Sequence, residues 1–580
     1  MLIVYSREDL DAMQAYSLKD VLKTIRMSNL LVSNIGAFQL KKSGQGKNAT
    51  PAIKVYIDNY ELTTVLQSNA LDMYADMDIY FVDHIEVYQS GSSFAFGNMP
   101  GNMVIRLYSK DPSRENSSSV SLNVDNKNSY NIRAIDASTF GDDYNYLIYA
   151  EKKKTNYKEY NNKGYILSRD TISSQAHFKI SKKGDFDVEV DAIGIDADIF
   201  SGLGLAPIGG YNKKSYGYIN LTKYFDNDIK LSLSTSIENK DIESIDDKGI
   251  MFYDGTVSKY FSASAASNTY KFILEKKIVD GNSDFLIGTQ FQRNTINIHN
   301  YDADPLVPTF GANRLDIYML YMEELYNINK NNLLAISGKI DYYRDSLSQT
   351  HTDYSARIGY ISYLTKDLKT KLFLNTLYSL PTMIQTSYSA AVFEVNPQLD
   401  DSRMSIMSAE VEYKKGKNNL VFGYTYKVSD DTIVFDKLNK IYVNSKDTMY
   451  FNRYYIRDEY KLDINNKVLF EYYDGYNDPY ASPNSGVLVQ IFTKIDKFNI
   501  YNELLYRNGY SYDYGAGMVD IDDGYDYTLA LGYEYNKNIQ IKLKGENLLD
   551  RAIESVIDPR GLIKVPSIER RVFLNMEYTF

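Results

Sequence analysis

The chain has 580 residues, with 64 Lys and Arg against 75 Asp and Glu and a formal charge of −11, a balance that argues against a general nucleic-acid binder. It contains no Cys, so disulfides, thiolate metal sites and cysteine nucleophiles are excluded. With 55 Tyr, 25 Phe, no Trp and 44% apolar residues but negative mean hydropathy, it is too aromatic for a disordered chain and too polar for a helical membrane protein. No run approaches the roughly 18 apolar residues of a spanning helix.

In chain order, Met1 to Tyr5 is a short apolar patch without a basic leader, a long apolar core or a small-residue cleavage site. The expectation is that the chain is already processed or truncated at its start. Ser6 is placed to cap a helix opening at Arg7-Glu8-Asp9-Leu10. Ser17 precedes Leu18, Val21, Leu22 and Ile25, a stripe at helical spacing that packs a small core. A polar loop from Lys41 to Thr50 leads into the strand Ile53 to Ile57, which ends in the turn residues Asp58-Asn59. In Phe81 to Lys110, two apolar segments, Asp83 to Tyr88 and Met103 to Tyr108, flank a loop rich in Gly and Ser, a strand, turn and strand pattern.

From about residue 116 the texture becomes alternation of period two. Val120 to Asp125, Phe186 to Ala192, Leu231 to Ile237 and Ile539 to Lys544 all show it. So does the last strand, where Val572, Leu574, Met576, Tyr578 and Phe580 stand against Arg571, Asn575, Glu577 and Thr579. One face is apolar and the other polar. As a soluble sandwich, so many such strands would share a very thin core; as a membrane barrel, the apolar face meets lipid and the polar face lines the lumen. A barrel is therefore expected, since only helices and closed barrels satisfy their backbone groups in lipid. The polar segments Gly202 to Lys214, Asp241 to Asp254, Asn294 to Pro308, Asp430 to Thr448 and Gly475 to Ser485 are read as its long loops. The tyrosines are expected in aromatic girdles, with others in loops or lining the lumen.

Phe81 to Lys110 resembles the plug signature of the TonB-dependent outer-membrane receptors. The matches are His84-Ile85-Glu86-Val87, Gly91-Ser92-Ser93, Phe96-Gly97, Gly101, Val104-Ile105 and Ser109-Lys110. Tyr5 to Ile25 looks like the opening of the plug, and Ile57-Asp58-Asn59 like the family's strand-end element with Asn for the usual Gly. Leu380-Pro381-Thr382, Asn396-Pro397-Gln398-Leu399 and Glu546-Asn547-Leu548-Leu549-Asp550 resemble segments of its barrel, and the terminal Phe580 resembles the aromatic signal read by barrel-assembly machinery. The resemblance implies an α/β plug, residues 1–115, inside an all-β membrane barrel of about 22 antiparallel strands, residues 116–580. Twenty-two strands allow roughly 21 residues each with connections, against roughly 9–11 needed to cross.

The implied function is active uptake of a scarce, bulky nutrient across the outer membrane, a ferric siderophore or related metal chelate first and a cobalamin-type cofactor second. A passive or structural channel with a degenerate plug is the competing class. The implied partners are TonB with its inner-membrane energising complex, the chelate or cofactor ligand, outer-membrane lipids and the assembly machinery, with no nucleic acid. The TonB box would precede the first plug strand, ahead of Met1. Ligand contacts are expected on apical plug loops, at Gln45, Lys47, Asn48, Thr50, Gln67 and Asn69, with Glu86, Gly91, Gly97 and Gly101 marking the signature.

No cofactor, catalytic set or metal site is expected. The four His, at 84, 177, 299 and 351, do not cluster, and Met383 to Val395, where haem receptors of the family carry a His, has none. Asp520, Asp522, Asp523 and Asp526 lack the spacing of an EF-hand loop and read as a solvated acidic loop. Gly202-Leu203-Gly204 lacks the setting of a dinucleotide site, and neither a nucleophile elbow nor HExxH is present. Two departures from the family concern charge. Gln89-Ser90-Gly91 and Lys42-Ser43-Gly44 stand where Arg-Gly steps are usual, which puts in doubt the ion pairs that those arginines make with the barrel wall.

Overall fold

The computed structural model describes residues 2–33, 36–42, 53–65, 68–89, 94–96, 103–141, 143–162, 165–200, 209–251, 257–302, 311–387, 394–436, 439, 441–476, 482–513, 517–557 and 563–580. Twenty-two of its strands close into one antiparallel barrel. The seam is made when the last strand, Arg571–Thr579, pairs with the first, Ser117–Asp125, in the register Leu574 to Val124 and Tyr578 to Val120. Closure leaves no unpaired edge, which is what lipid requires.

The alternation decides which side is wet. Val120, Leu122 and Val124 are 42%, 47% and 38% exposed while Ser121 and Asn123 are buried. Leu233 and Ile237 face out with Ser232 and Ser236 facing in, and Glu189 and Asp191 are buried inside beside outward valines. A soluble protein has the reverse arrangement. Here the apolar exterior is the lipid face of a membrane barrel. Tyr318, Tyr342, Tyr354 and Tyr450 stand exposed near one rim, and Tyr326, Tyr363, Tyr413, Tyr460, Tyr535 and Tyr578 near the other, two aromatic girdles at the interfaces. A further set, including Tyr149, Tyr321, Tyr455, Tyr473 and Tyr501, is fully buried in the lumen.

Short turns alternate with long connections around the barrel, so one rim carries turns such as 183–185 and the other carries the loops. Several segments expected as loops are strand instead. Ile229–Met251 runs through most of Asp241 to Asp254, Ser283–Asp302 through much of Asn294 to Pro308, and Gly210–Phe225 begins inside Gly202 to Lys214. Within Asp430 to Thr448, Ile433–Asp436 pairs antiparallel with Ile441–Asn444. Past the lipid both faces of a strand are wet, so the alternation fades while backbone pairing continues, as between Ile245 and Tyr260.

Inside lies the small α/β unit. Its strands are β1 (Leu2–Tyr5), β2 (Ser28–Val32), β3 (Phe38–Lys42), β4 (Ile53–Ile57), β5 (Tyr60–Leu62), β6 (Val82–Gln89) and β7 (Met103–Ser109), with helices α1 (Arg7–Met13), α2 (Leu18–Leu22), α3 (Leu71–Tyr74) and α4 (Pro112–Glu115). Five strands form one mixed sheet in the order β1-β6-β7-β4-β5, with β4 and β7 parallel. Both helix starts carry a capping box, Ser6 with Asp9 and Ser17 with Asp20. The stripe Leu18, Val21, Leu22 and Ile25 is completely buried against the inner sheet face, where Val55, Ile57, Ile85, Val87, Ile105 and Leu107 are also inaccessible. Asp58 turns β4 into β5 from the left-handed region, φ 45°, a role Asp and Asn fill when Gly is absent.

Candidate ligand-binding lumen

Of the expected ligand residues, Gln45, Lys47, Asn48, Thr50 and Gln67 lie outside the described residues, as do Gly91, Gly97 and Gly101. Asn69 is buried, and its side-chain oxygen accepts from the Leu71 amide at 3.0 Å while its backbone amide donates to Thr64, so it holds its own loop closed. Glu86 sits on the outer face of the plug sheet and accepts from the Tyr88 and Tyr108 hydroxyls at 2.6 and 2.7 Å. Phe580 is 71% exposed, edge-on to Tyr578 at 4.8 Å. His84 and His177 are occupied by Asp83 and Asp191, and His351 borders a cavity of about 90 Å³ with Arg314, Tyr343, Met383 and Asp401 among the long loops.

The plug is bolted to the wall by charge. Lys23 reaches Glu503 at 2.8 Å and Asp526 at 3.0 Å. Arg26 pairs with Glu471 at 3.2 Å and lies 4.2 Å over the Tyr455 ring. Lys544 bridges Asp20 and Glu546; Asp76 joins Lys19 and Lys153; Asp78 takes Arg133. On the other side Asp58 holds Lys179 at 2.8 Å, and Glu61 sits between Lys54 at 3.0 Å and Lys271 at 2.9 Å. Burial would raise the Glu61 carboxyl, but the Lys271 and Lys54 ammoniums bring it down to about 2. Asp58 is likewise buried, and Lys179 with Ser109 brings it down to about 2.

The doubt raised by the missing Arg-Gly steps is therefore corrected. The network exists, carried by other residues, and Gln89 joins it as a neutral donor to the Arg26 carbonyl at 2.9 Å. Asp526, read as part of a solvated acidic loop, is instead buried on Lys23, while Asp520 and Asp523 accept hydrogen bonds from their own loop. The sequence signal for these anchors was charge beside a buried stripe, Lys23 after Leu22 and Arg26 after Ile25, and acids at inward positions of alternating strands.

Nearer the long-loop rim, two wall cations, Arg453 and Lys427, lack this compensation, and a third, Arg357, has only the field of Glu323. Arg453 is 8% exposed and its Nε has no hydrogen-bond partner. Gly475 leaves room for its stem, since a Cβ there would meet Arg453 Cγ at 2.8 Å. Lys427 is its diagonal neighbour, on the strand that pairs Thr425 with Arg453 and Lys427 with Phe451. Arg357 lies 4.7 Å over Phe373, its Nε also unpartnered. Among the described residues none of the three forms an ion pair with an acid. A buried cation without a counter-charge is costly unless something anionic visits it.

No protein-family model and no curated protein matches this chain. Solved structures do. The siderophore receptor PirA from Acinetobacter baumannii superposes with a TM-score of 0.80 at 11% identity, over 100% of this chain and 98% of that one. The FrpB iron transporter from Neisseria meningitidis gives 0.77 at 11%, covering 100% and 99%. The ferric yersiniabactin uptake receptor FyuA from Yersinia pestis gives 0.77 at 12%, covering 100% and 98%. At this identity the likeness establishes the fold, that of outer-membrane receptors and transporters.

Proposed function

We propose that this chain, which has the plugged-barrel fold of the TonB-dependent outer-membrane receptors, imports a bulky anionic metal chelate, a ferric siderophore or close analogue. The observation that carries the reading is the pair of uncompensated cations Lys427 and Arg453 on the lumen wall above a plug ion-paired beneath them. A hydroxamate, catecholate or carboxylate chelate supplies the missing negative charge, through charge-assisted hydrogen bonds. The similar structures are a siderophore receptor, an iron transporter and a ferric yersiniabactin uptake receptor, which supports the same class of cargo. A passive channel fits poorly with a lumen filled and held by so many ion pairs, and the lumen is proposed to do no covalent chemistry.

Energy would come from TonB and its inner-membrane complex, acting on the plug's amino-terminal side, where binding shifts the plug between two states. The test is uptake of radiolabelled ferric chelates by cells carrying the receptor, with and without a proton-motive force. Uptake should collapse when the force is dissipated, with surface binding retained. Equal uptake in both conditions overturns the reading.

A further inference from the structure

The turn-side rim of the barrel is unevenly charged. Along one arc the exposed acids Asp143, Asp226, Asp228 and Asp280 alternate with Lys183, Lys277 and Lys330, and Lys277 pairs with Asp284 at 2.9 Å. Along the other arc, from the turn at 364–367 to the turn at 535–538, Lys366, Lys414, Lys415, Lys417, Lys497 and Lys537 are all exposed. Among the described residues none of these pairs with an acid, and Lys497 donates to the Tyr535 carbonyl at 3.4 Å. Most acids of this arc are engaged by other cations: Glu410 and Glu412 by Lys371, Glu459 by Lys461 and Arg457, and Glu534 by Lys494. Asp463 accepts from the amides of Asn465 and Asn466 in its own turn. Only Asp367, Asp458, Asp463 and Asp496 are left to meet the lysines, so positive charge is in excess.

These lysines stand where the wall leaves the lipid. Val411, Tyr413 and Lys415 take successive outward positions of the strand Ser402–Lys415, so the ammonium ends a lipid-facing row. Leu364, Leu462, Ile495, Phe498 and Tyr535 are exposed in the same group of turns. Backbone bonds join neighbouring turns into one surface: the Lys414 amide donates to the Asp367 carbonyl and the Lys461 amide to the Lys417 carbonyl, both at 2.8 Å. Apolar and cationic side chains interleaved at one level suit a bilayer interface. Rings and aliphatic chains enter the acyl boundary, while lysine stems carry their charge out to the headgroups. The first arc reaches the same level with Phe225, Ile278 and Ile328 exposed, but without the excess of cations.

We propose that the arc from Lys366 to Lys537 is a binding surface for acidic phospholipid in the leaflet on the turn side, with phosphodiester headgroups lying among Lys366, Lys414, Lys415 and Lys417. Several cations set side by side at headgroup level retain anionic lipid in preference to zwitterionic lipid, through a charge term that salt weakens. Lysine suits this task, being a point charge on a flexible stem that follows a mobile headgroup without demanding bidentate geometry. The occupant is lipid and not an acidic protein, because Lys415 continues a lipid-facing row and the apolar neighbours of the other lysines need a bilayer to cover them. The inference is independent of what the lumen carries.

For the test, the purified full chain is reconstituted into phosphatidylcholine bilayers holding a trace of spin-labelled phosphatidylglycerol or spin-labelled phosphatidylcholine. The fraction of each held at the protein surface is read from its immobilised signal. A formal charge of −11 would by itself repel acidic lipid, so any preference for it reports a local patch. Phosphatidylglycerol should be preferred at least about threefold at low salt, and less as salt is added. K366Q/K414Q/K415Q/K417Q should abolish the preference. K366R/K414R/K415R/K417R, and K183Q/K277Q/K330Q on the first arc, should keep it. A parent protein without preference, the result expected if these lysines serve an acidic protein, overturns the proposal. So does a glutamine variant that keeps the parent's ratio. Should the fourfold glutamine variant fail to reconstitute, K414Q/K415Q takes its place: it should lower the ratio, and an unchanged ratio overturns the proposal.

Discussion

Single residues in the lumen do two opposite electrostatic jobs. Glu61 neutralises Lys54 and Lys271 at once, so Glu61→Gln leaves two buried ammoniums facing each other. The expected cost is about 3 kcal/mol, seen as an earlier chemical unfolding midpoint and a plug more open to protease; an unchanged midpoint would show the triad to be idle. Arg453 and Lys427 are the converse, cations kept without an acidic partner among the described residues. Removing an unpaired buried charge relieves the apo protein, so Arg453→Ala should leave or raise thermal stability. It should also weaken binding of an anionic chelate about tenfold or more, the worth of one charge-assisted hydrogen bond. Neutral cargo binding unaffected by the change, with anionic chelate also unaffected, contradicts the anion reading. These pairings were only half legible in the sequence. The alternation placed Glu471, Glu503 and Asp526 on an inward face, but which plug cation each would meet depends on residues some 450 to 500 positions away in the chain.

At the scale of elements, the closing strand separates assembly from stability. Val572, Leu574, Met576 and Tyr578 meet lipid and Phe580 is mostly exposed at the end of the strand, so it packs little. Phe580→Ala should therefore leave the melting of refolded protein within about 0.5 kcal/mol of the parent, yet lower the amount of folded barrel recovered in the membrane fraction of cells. Equal loss in both measurements would make Phe580 a packing residue and not an assembly signal. The amphipathic helix stripe, the capping serines and the strands flanking the signature loop were readable because their periodicity and caps are local. The long strands Ile229–Met251 and Val257–Asp280 were not, because beyond the bilayer no face is dry and the pattern that marks a strand disappears.

For the whole molecule, the plug is retained by carboxylates that folding has made more acidic, and this sets a direction for pH. In the folded protein Asp58 and Glu61 are brought down to about 2 by the ammoniums beside them, against about 3.9 and 4.3 in an unfolded chain. Their contribution is fully present above the unfolded values and is lost as pH falls from about 4 toward 2. Protease protection of the plug should thus be flat from neutral pH to about 5 and decline below 4, with Glu61→Gln flattening part of that decline. A loss centred near pH 6 would point to histidine instead. By itself the sequence determined the class of structure: period two without a soluble core demands a closed barrel, and the signature stretch demands a small sheet within it. Only the tertiary structure decided how the two are joined, since barrel closure brings distant inward positions to one level of the lumen. It seals one face of the strands Val82–Gln89 and Met103–Ser109 under the helices and leaves Glu86 and Arg106 partly exposed on the other. Local pattern specifies which way a side chain points; what it meets across a lumen is settled by curvature and register, which no single stretch contains.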